Sequence, residues 1–439
     1  MAAVPKTYAA SALATAIRPT VKIGGADVPV FSFTAQLGAY GSVGRFSFET
    51  SSEALVKAGF AGAKSLAAQL EQSQAQPPAS SPSLPIEIWS NGAYGQPSTR
   101  MFGGDVDMAR WDFDRDRLMV EGRDYAGRLI DVRIVLNRAY QHMTPSLLAQ
   151  KLASEVSLAA QIPASSGEHE IGYYLQTTGV GGTGSAGANP VKLANPRPAW
   201  DLLTFLARNL GYQVNVTPDQ TLHFGPPAKY TGAGYPRVLT YRAPASTANV
   251  VPVRALRVDH SPRRNGTFQV LVMSYHPVST QLISSRVLVL GQAISVTKQG
   301  KVPAGIYKGS GGEALRAQIG DKLNGKPVYL YYIHGLTAGQ MEQIAEAIAL
   351  DITKRAFIVH GEIDGDPTLA PQMPVQLAEG VAGALQGYAG RTLTVASVSH
   401  QFQMARGNAR GGGYVTQFQA FYQPPAPQEA GAAILPPVA

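Results

Sequence analysis

Between residues 106 and 120 the chain alternates apolar and charged residues, and this alternation constrains the fold more than any other feature. An Asp-Arg-Asp turn at 114–116 divides the pattern into two runs. Because successive side chains of a strand point to opposite faces of a sheet, the alternation predicts an antiparallel hairpin with one buried and one solvated face. The apolar members of the pattern are Val106, Met108, Trp111, Phe113, Leu118 and Val120.

The acidic residues of this hairpin do not have the pattern of a catalytic pair. Asp112, Asp114 and Asp116 alternate with arginines, among them Arg115 and Arg117. A carboxyl group that acts as a general acid needs a raised pKa, whereas neighbouring guanidinium groups lower it. The stretch is therefore interpreted as two charged strands and the corner between them.

Other signatures of chemistry are equally weak. The GVGGTG stretch at 179–184 precedes SAGANP, which cannot begin the helix that a dinucleotide site requires. His169 lies between two glutamates, but adjacent residues of an extended chain face opposite sides. The chain contains no cysteine, and its eight histidines lack ligand spacing. We therefore expect no enzyme activity, no metal and no cofactor.

The composition favours a β-rich protein. The chain has 46 glycines and 31 prolines in 439 residues, which indicates many turns and short strands. Helical spacing of apolar residues appears in four segments, at 52–71, 144–158, 200–210 and 337–355. Thr144 and Thr337 are the expected N-caps, with Pro145 at the first helical position of the second segment, and Gly211 is the expected C-cap of the third. The stretches YQVNV and TLHFG after the third segment predict a hairpin, and the helix face of that segment is formed by Trp200, Leu203, Phe205, Leu206 and Leu210. No run of eighteen apolar residues occurs, so the sequence predicts no membrane-spanning helix.

Positive charge is concentrated in one segment. The chain carries a net charge of +8, and residues 254–301 contain seven basic residues against one acidic residue, Asp259. A surface for nucleic acid is one interpretation. A subunit interface is the other, and we favour it because no aromatic residues alternate with the basic ones. The candidate residues are Arg254, Arg257, Arg263, Arg264 and Arg286.

Several motifs, taken in order, resemble one protein family. MFGGDVDMARWDFDRDRLMVEGRDYAGRLID at 101–131 is similar to the phage tail baseplate hub proteins. This family comprises the Mu-like tail protein P and late control protein D groups, and the N-terminal part of type VI secretion spike proteins is similar. The resemblance continues in LTFLARNLGYQVNVTPDQTLHFG, in the typical His400, and in the ending formed by Gly413, Tyr414 and Thr416.

The resemblance implies an α+β, mainly β fold with two related tube-type barrel domains, which form a pseudo-six-fold ring as a trimer. The first barrel is expected at 1–140, with a helix and loop at 52–84, and an inserted α/β domain at 141–228. The second barrel is expected at 229–423 with the helix 337–355, followed by a Pro/Ala-rich tail at 424–439. Gly122, Arg123 and Asp124 are expected to fix the corner of the first barrel by hydrogen bonding.

The function that the resemblance implies is structural. A homotrimer would join the six-fold tail tube, or distal tail proteins, to a three-fold central spike. Baseplate wedge proteins would surround it, and DNA would pass transiently through its channel. Its location would be the virion baseplate, after synthesis in the host cytoplasm. We also expect the tail 424–439 to dock on a neighbour, because AAILPPVA is apolar for a free end.

Two other functions remain open at this point. A tail-tip cell-wall hydrolase would need a pair of separated carboxylates, and the α/β segment does not show one. A receptor-binding β protein would need exposed aromatic platforms, but Trp89, Trp111 and Trp200 fall within predicted apolar faces.

Overall fold

The structure is a computed structural model of the 439-residue chain. It describes residues 19–39, 41–60, 84–90, 98–134, 143–163, 168, 171, 197–210, 212–226, 235–241, 250–261, 268–275, 282–290, 293–302, 328–332, 338–378, 390–404, 413–422 and 428–429.

Strands dominate these residues. The strands are β1 (Pro19–Ile23), β2 (Ala26–Val28), β3 (Ser32–Gly38), β4 (Arg45–Thr50), β5 (Pro85–Ser90), β6 (Thr99–Asp112), β7 (Arg117–Asp124), β8 (Arg133–Ile134), β9 (Ala159–Gln161), β10 (Arg197–Pro198), β11 (Gln213–Val216), β12 (Thr221–Gly225), β13 (Arg237–Tyr241), β14 (Val250–His260), β15 (Phe268–Tyr275), β16 (Leu282–Leu290), β17 (Ala293–Val302), β18 (Val328–Tyr332), β19 (Phe357–Asp364), β20 (Pro374–Leu377), β21 (Thr392–Gln403), β22 (Gly413–Tyr422) and β23 (Gln428–Glu429). The helices are α1 (Ser52–Lys57), α2 (Ala126–Asp131), α3 (Pro145–Glu155), α4 (Ala199–Leu210) and α5 (Ala338–Lys354).

The N-terminal seven strands form one curved half of the largest sheet, in the order β2-β1-β5-β6-β7-β4-β3. All neighbouring pairs in this half are antiparallel. Alternate residues such as Phe46, Phe48 and Val120 point into a shared core. The predicted hairpin is confirmed as β6 and β7.

One detail of the hairpin prediction is wrong, because β6 contains a bulge. The register shifts between Val106 and Met108, so the extra residue reverses the alternation. Val106 is 8% exposed and Met108 is 38% exposed, while Ala109 and Trp111 pack against the core instead. Phe113 lies beyond the end of β6, in the turn, and is 82% exposed.

The C-terminal half of the same sheet closes into a six-stranded barrel. Its strands follow the order β21-β20-β13-β14-β19-β22, and β22 pairs again with β21. Val359, Val395 and Phe418 belong to its buried core. The structure is thus mainly β with a closed barrel, as the sequence predicted at that level. The division into two barrel domains, the inserted domain and the trimer remain predictions.

The two halves are joined by backbone pairing between β3 and β21. The antiparallel register runs from Ser32 opposite Gln403 to Gly38 opposite Ser397. The aromatic rings of Phe33 and Phe402 stack at this junction, with their centroids 5.9 Å apart. The main chain therefore carries one continuous sheet from one half to the other.

Two further layers pack outside this sheet. In the first, α2, α3 and α4 share a core with β11 and β12, which form the predicted hairpin. The Thr144 hydroxyl accepts a hydrogen bond from the Leu147 amide, as expected of the cap of α3. Trp200, Leu203 and Leu206 are buried on α4, also as predicted.

The second layer is a five-stranded sheet in the order β18-β15-β16-β17-β23. In the chain, its first four strands and α5 fall between β14 and β19 of the barrel. Phe268, Val270 and Val272 pack with Ile344 and Ala345 of α5. Its first four strands lie within the segment 229–423 and β23 lies beyond it, and none of the five takes part in the pairing of the barrel.

The helix predicted at 52–71 is not continuous. It ends at Lys57, and Gly59 adopts a positive φ of 90°, which terminates the helical backbone. Residues 61–71, like the predicted caps Gly211 and Thr337, lie outside the described residues. Among the helices of the described part of the chain, none is long and apolar enough to cross a membrane.

Candidate functional site

The predicted corner lies where β7 runs into α2. The Asp124 carboxylate is buried and accepts hydrogen bonds from the Gly44 amide at 2.6 Å and from the Ala126 amide at 3.0 Å. The backbone of Asp124 also donates to the Gly44 carbonyl. Burial raises the pKa of Asp124 to about 7, although the amides of Gly44 and Ala126 act in the opposite direction. The side chain thereby ties the start of α2 to the loop before β4.

Arg123 links three elements of the same corner. Its guanidinium contacts Asp107 of β6 at 2.7 and 2.8 Å and Asp131 of α2 at 3.1 and 3.0 Å. Hydrogen bonding to Asp107 raises the pKa of Arg123, against the effect of burial, and Asp131 raises it further. Both carboxylates are hydrogen-bonded to the guanidinium, so this cluster is suited to fixing geometry.

Gly122 is required by close packing. A Cβ atom at this position would lie 2.1 Å from the Asp105 carbonyl oxygen and 2.6 Å from the ring of Phe46. Any side chain would therefore push β7 away from β6 or from the core.

A second buried polar cluster lies at the junction of the two halves, on β21 and β22. The Tyr414 hydroxyl is 2.8 Å from Nδ1 of His400 and 3.1 Å from Sδ of Met101, which is on β6. The Thr416 hydroxyl is 3.2 Å from the same His400 nitrogen and accepts from the Asp366 amide at 3.0 Å. Burial lowers the pKa of His400 to about 4 and raises that of Tyr414. Both side chains are therefore neutral at pH 7.

Asp366 extends this junction cluster to β13. Its carboxylate forms an ion pair with Arg237 and accepts from the amide and hydroxyl of Thr368 at 2.9 and 2.6 Å. Burial alone would raise the pKa of Asp366, but Arg237 and Thr368 lower it below its ordinary value. His400, Tyr414 and Thr416 were singled out in the sequence, whereas Arg237 and Asp366 were missed. The Asp-Pro-Thr spacing at 366–368 was the available signal, since Asp followed two residues later by Thr is typical of a turn.

The predicted basic residues are less available for binding a partner than the sequence suggested. Arg254 forms an ion pair with Asp364 of β19, and Arg257 makes two hydrogen bonds to Asp259, at 2.9 and 2.8 Å. Hydrogen bonding to Arg257 lowers the pKa of Asp259. The charge count of the segment missed Asp364, because that partner comes from a neighbouring strand. Arg263 and Arg264 lie outside the described residues, as does the side chain of Arg286.

A row of polar side chains crosses the continuous sheet. Gln36 of β3, Ser399 of β21, Gln417 of β22 and Glu362 of β19 are paired in one row across four strands. The amide of Gln417 donates to Glu362 at 3.0 Å, and that of Gln401 donates to Gln417 at 3.3 Å. A groove of about 540 Å³ follows this row. Its neutral polar side chains are amides and hydroxyls, Arg257 is paired with Asp259, and Glu362 accepts from the amide of Gln417.

No group of three or more metal-ligating side chains occurs within the described residues. Of the His169 cluster only Glu168 is described, and it accepts hydrogen bonds from the amide and hydroxyl of Ser146 at the start of α3. The GVGGTG segment lies outside the described residues. The polar clusters described above connect strands and helices to one another.

Proteins of known structure share this fold. No protein-family model matches the sequence, and no curated protein matches it. Among solved structures, the chain is similar to the tail protein from Neisseria meningitidis MC58, at a TM-score of 0.55 and 13% identity, over 92% of this chain and 96% of that one. It is also similar to the 43 kDa tail protein of prophage MuSo2 from Shewanella oneidensis, at 0.52 and 13%, over 92% and 98%.

A component of the type VI secretion system of E. coli aligns at a TM-score of 0.43 and 13% identity, over 92% of this chain and 79% of that one. The Neisseria and Shewanella likenesses extend over nearly the whole length of each chain. This chain therefore has the fold of phage tail proteins, and the resemblance inferred from the motifs is confirmed at that level.

Proposed function

We propose that this chain is the structural hub of the baseplate of a phage or phage-like tail. As a trimer it joins the six-fold tail tube to the three-fold central spike and surrounds the channel for DNA exit. The observation that carries the proposal is the direct fusion of two β halves through β3 and β21. Three copies of a chain with two such halves would present six β units, which is what a symmetry adaptor requires.

The junction between the two halves of the sheet favours a single orientation of one half relative to the other. Seven backbone pairs join β3 to β21. Buried side chains reinforce them, because Tyr414 of the C-terminal strand β22 contacts Met101 of the N-terminal half and packs in that half's core. A flexible linker between the halves would let the six units of a ring depart from their positions. A shared sheet with a buried polar cluster supports a rigid ring instead.

The polar groove suits the wall of the channel. A duplex that passes through a pore must not be held by it, and each phosphate contact with a free Lys or Arg strengthens binding. Along the groove, Gln36, Ser399 and Gln417 are neutral, and Arg257 is paired with Asp259. We therefore assign this face, with the paired Arg257, to the channel, and assign the other basic residues of the segment to contacts between subunits rather than to DNA.

The partners follow from this position. Tail tube or distal tail proteins bind above the ring, the spike binds below it, and wedge proteins bind around it, in the virion baseplate after synthesis in the host cytoplasm. We assign no reaction to the chain. The polar clusters at the corner and at the junction connect strands to one another, and their carboxylates Asp107, Asp131 and Asp366 are each bound to an arginine.

The mass of the purified chain in solution tests the proposal. Light scattering should give three times the chain mass of 46.4 kDa, and negative stain should show three-fold rings around a hole. Because a hub can require its spike for closure, the same measurement is repeated with the neighbouring tail proteins. A monomer that forms no ring in either case contradicts the proposal. Clearing of peptidoglycan in a zymogram would favour a hydrolase instead.

A further inference from the structure

The layer formed by α2, α3, α4, β11 and β12, which we call the α/β layer, is attached to the N-terminal half of the large sheet. Strand β7 leads into α2 after a single residue. The indole of Trp200 on α4 donates a hydrogen bond to the Gly41 carbonyl at 2.9 Å, in the loop between β3 and β4. A Cβ atom on Gly41 would lie 2.6 Å from Thr204, so this loop and α4 are in direct contact. The α/β layer is therefore anchored on the N-terminal half.

The turn of the β11–β12 hairpin strengthens this anchor by contacting β6. The Arg100 guanidinium of β6 donates to the Pro218 carbonyl at 3.2 Å and forms an ion pair with Asp219 at 3.2 Å. A Cβ atom on Gly103 would lie 2.4 Å from the Pro218 carbonyl oxygen, so the turn approaches the strand as closely as a glycine permits. Both the amide and the carbonyl of Thr217 take part in hydrogen bonds that close the turn.

The same hairpin also contacts the C-terminal half. The side-chain amide of Gln372 donates to the side-chain oxygen of Asn215 on β11 at 3.2 Å. Gln372 lies just before β20 of the barrel, and its backbone amide donates to the Val395 carbonyl of β21 at 2.7 Å. Its φ of 74° is unusual for a residue other than glycine, and such a backbone persists only where its surroundings hold it. The hairpin thus contacts a well-fixed point of the barrel.

Helix α4 provides a second contact with the C-terminal half. It lies against α5, which is followed after two residues by β19 of the barrel. The connection between α5 and β19 is itself tied to β14, because the Ala356 carbonyl accepts from the amide of Ser261, the residue after β14, at 2.8 Å. The α/β layer therefore contacts the C-terminal half through two different elements, β11 and α4.

These contacts restrict a freedom that backbone pairing leaves open. The twist between neighbouring strands varies from about 10° to about 35° among sheets, so pairing of β3 with β21 does not by itself define one angle. Parts of a chain move relative to each other unless a substantial interface joins them. A contact outside the sheet opposes such motion, because a change in twist would open or close the gap between Asn215 and Gln372.

We propose that the α/β layer is a structural bracket that sets the angle between the two halves of the large sheet. It is anchored on the N-terminal half, and it holds the barrel through Asn215 and α4. Gln372 is the point on the barrel against which β11 is braced. The inference concerns a single chain, so it does not depend on the proposed function.

Distances between two spin labels test the bracket. The natural chain has no cysteine, so labels can be attached at chosen positions. Met119→Cys on β7 and Ala255→Cys on β14 place one label on an exposed site of each half. An excess of unlabelled chain keeps the measured pairs within one chain in any assembly. Double electron–electron resonance then gives the mean distance between the labels and its spread.

A larger side chain at the contact should change the angle. Asn215→Trp in the labelled chain adds volume between β11 and Gln372, and a packed contact does not absorb added volume without movement. We expect the mean distance between the labels to shift by ~3 Å or more, as the barrel is pushed away. Leu147→Trp is the control, because Leu147 is 54% exposed on α3 of the same layer, and it should leave the mean distance unchanged.

Asn215→Ala tests the same contact even if the larger residue prevents folding. It removes the hydrogen bond to Gln372 without adding volume, so the spread of distances should widen by ~1.5-fold or more. A shift in Asn215→Trp or a wider spread in Asn215→Ala, with Leu147→Trp like the parent, supports the bracket. An unchanged mean and spread in the Asn215 variants, or an equal change in Leu147→Trp, would overturn it.

Discussion

The hydroxyl group of Tyr414 lies 2.8 Å from Nδ1 of His400, at the place where the two halves of the large sheet meet. Neither residue is more than 1% exposed. His400 is paired with Ala35 of β3, and Tyr414 packs in the core of the N-terminal half. The contact therefore joins the two halves through side chains as well as through the backbone.

Loss of the Tyr414 hydroxyl should weaken this junction. The variant Tyr414→Phe keeps the ring against Phe33 but leaves His400 without its 2.8 Å contact. We expect the free energy of unfolding to fall by about 1–2 kcal/mol, the usual effect of removing one partner of a buried hydrogen bond. Urea denaturation measures it. Tyr422→Phe, on the same strand, is the matched control and should change stability less.

The stability of the fold should depend on the protonation of His400. Burial lowers its pKa in the folded state to about 4, from an ordinary value of 6.5. The folded protein resists protonation, so this stability is fully present above pH 6.5 and is lost as the pH falls from 6.5 to 4. The shift corresponds to about 3 kcal/mol.

Asp124 acts in the opposite direction over this whole pH range, because burial raises its pKa to about 7 from an ordinary value of 3.8. The dependence on His400 is therefore read from the difference between the wild-type protein and His400→Gln, both of which retain Asp124. Urea denaturation at pH 7, 6, 5 and 4 should show the wild-type protein losing more stability than the variant. Parallel curves would contradict a buried, neutral His400.

Substitution of Arg123 should lower the stability of the protein more than substitution of an exposed arginine nearby. Arg123→Ala leaves Asp107 and Asp131 without their shared cation. We expect a loss of about 1–2 kcal/mol in unfolding free energy and weaker assembly, because two elements lose their connection. Arg110→Ala is the control, since Arg110 is 62% exposed and its contact to Glu121 is 3.5 Å long. Normal folding and assembly of Arg123→Ala would refute the role of this corner.

Gly122→Ala should destabilise the N-terminal half strongly. The new methyl group would lie 2.1 Å from the Asp105 carbonyl oxygen, so the backbone of β6 or β7 must move. A loss of about 2–3 kcal/mol or more is expected, as in overpacked cores. Gly413→Ala is the control in another strand, because nothing lies within 4 Å of its added carbon. Thermal unfolding of the two variants should separate them clearly.

A basic ring in the groove should give the protein stronger binding to DNA than the natural side chains do. Gln417→Arg would place an extra charge in the proposed channel, three per trimer, and each phosphate contact increases the salt dependence of binding. We expect measurable binding to duplex DNA at low salt, lost as salt rises, in an electrophoretic assay. Val56→Arg, on an exposed part of α1 outside the groove, should not bind comparably. Equal binding by both variants would argue against this face as the channel wall.

Patterns among neighbouring residues were sufficient to predict several elements of the fold. The alternation at 106–120 predicted the β6–β7 hairpin, and Thr144 with Pro145 predicted the start of α3, because both depend only on neighbours in the chain. The bulge at Val106 and Met108 could not be predicted, since one extra residue in one strand leaves no separate mark in an alternating sequence.

Contacts between residues far apart in the chain determined the features that the sequence did not predict. The partners of Asp124 and Tyr414 are Gly44 and Met101, separated in the chain by 80 and 313 residues. The charge count of the basic segment indicated a positive surface, but strand pairing places Asp364 next to Arg254 and neutralises its charge. Sequence determines which residues share a face in a strand without a bulge. The tertiary structure determines which strand lies beside it, because charge and hydrogen bonding act between atoms that are close in space, regardless of their separation along the chain.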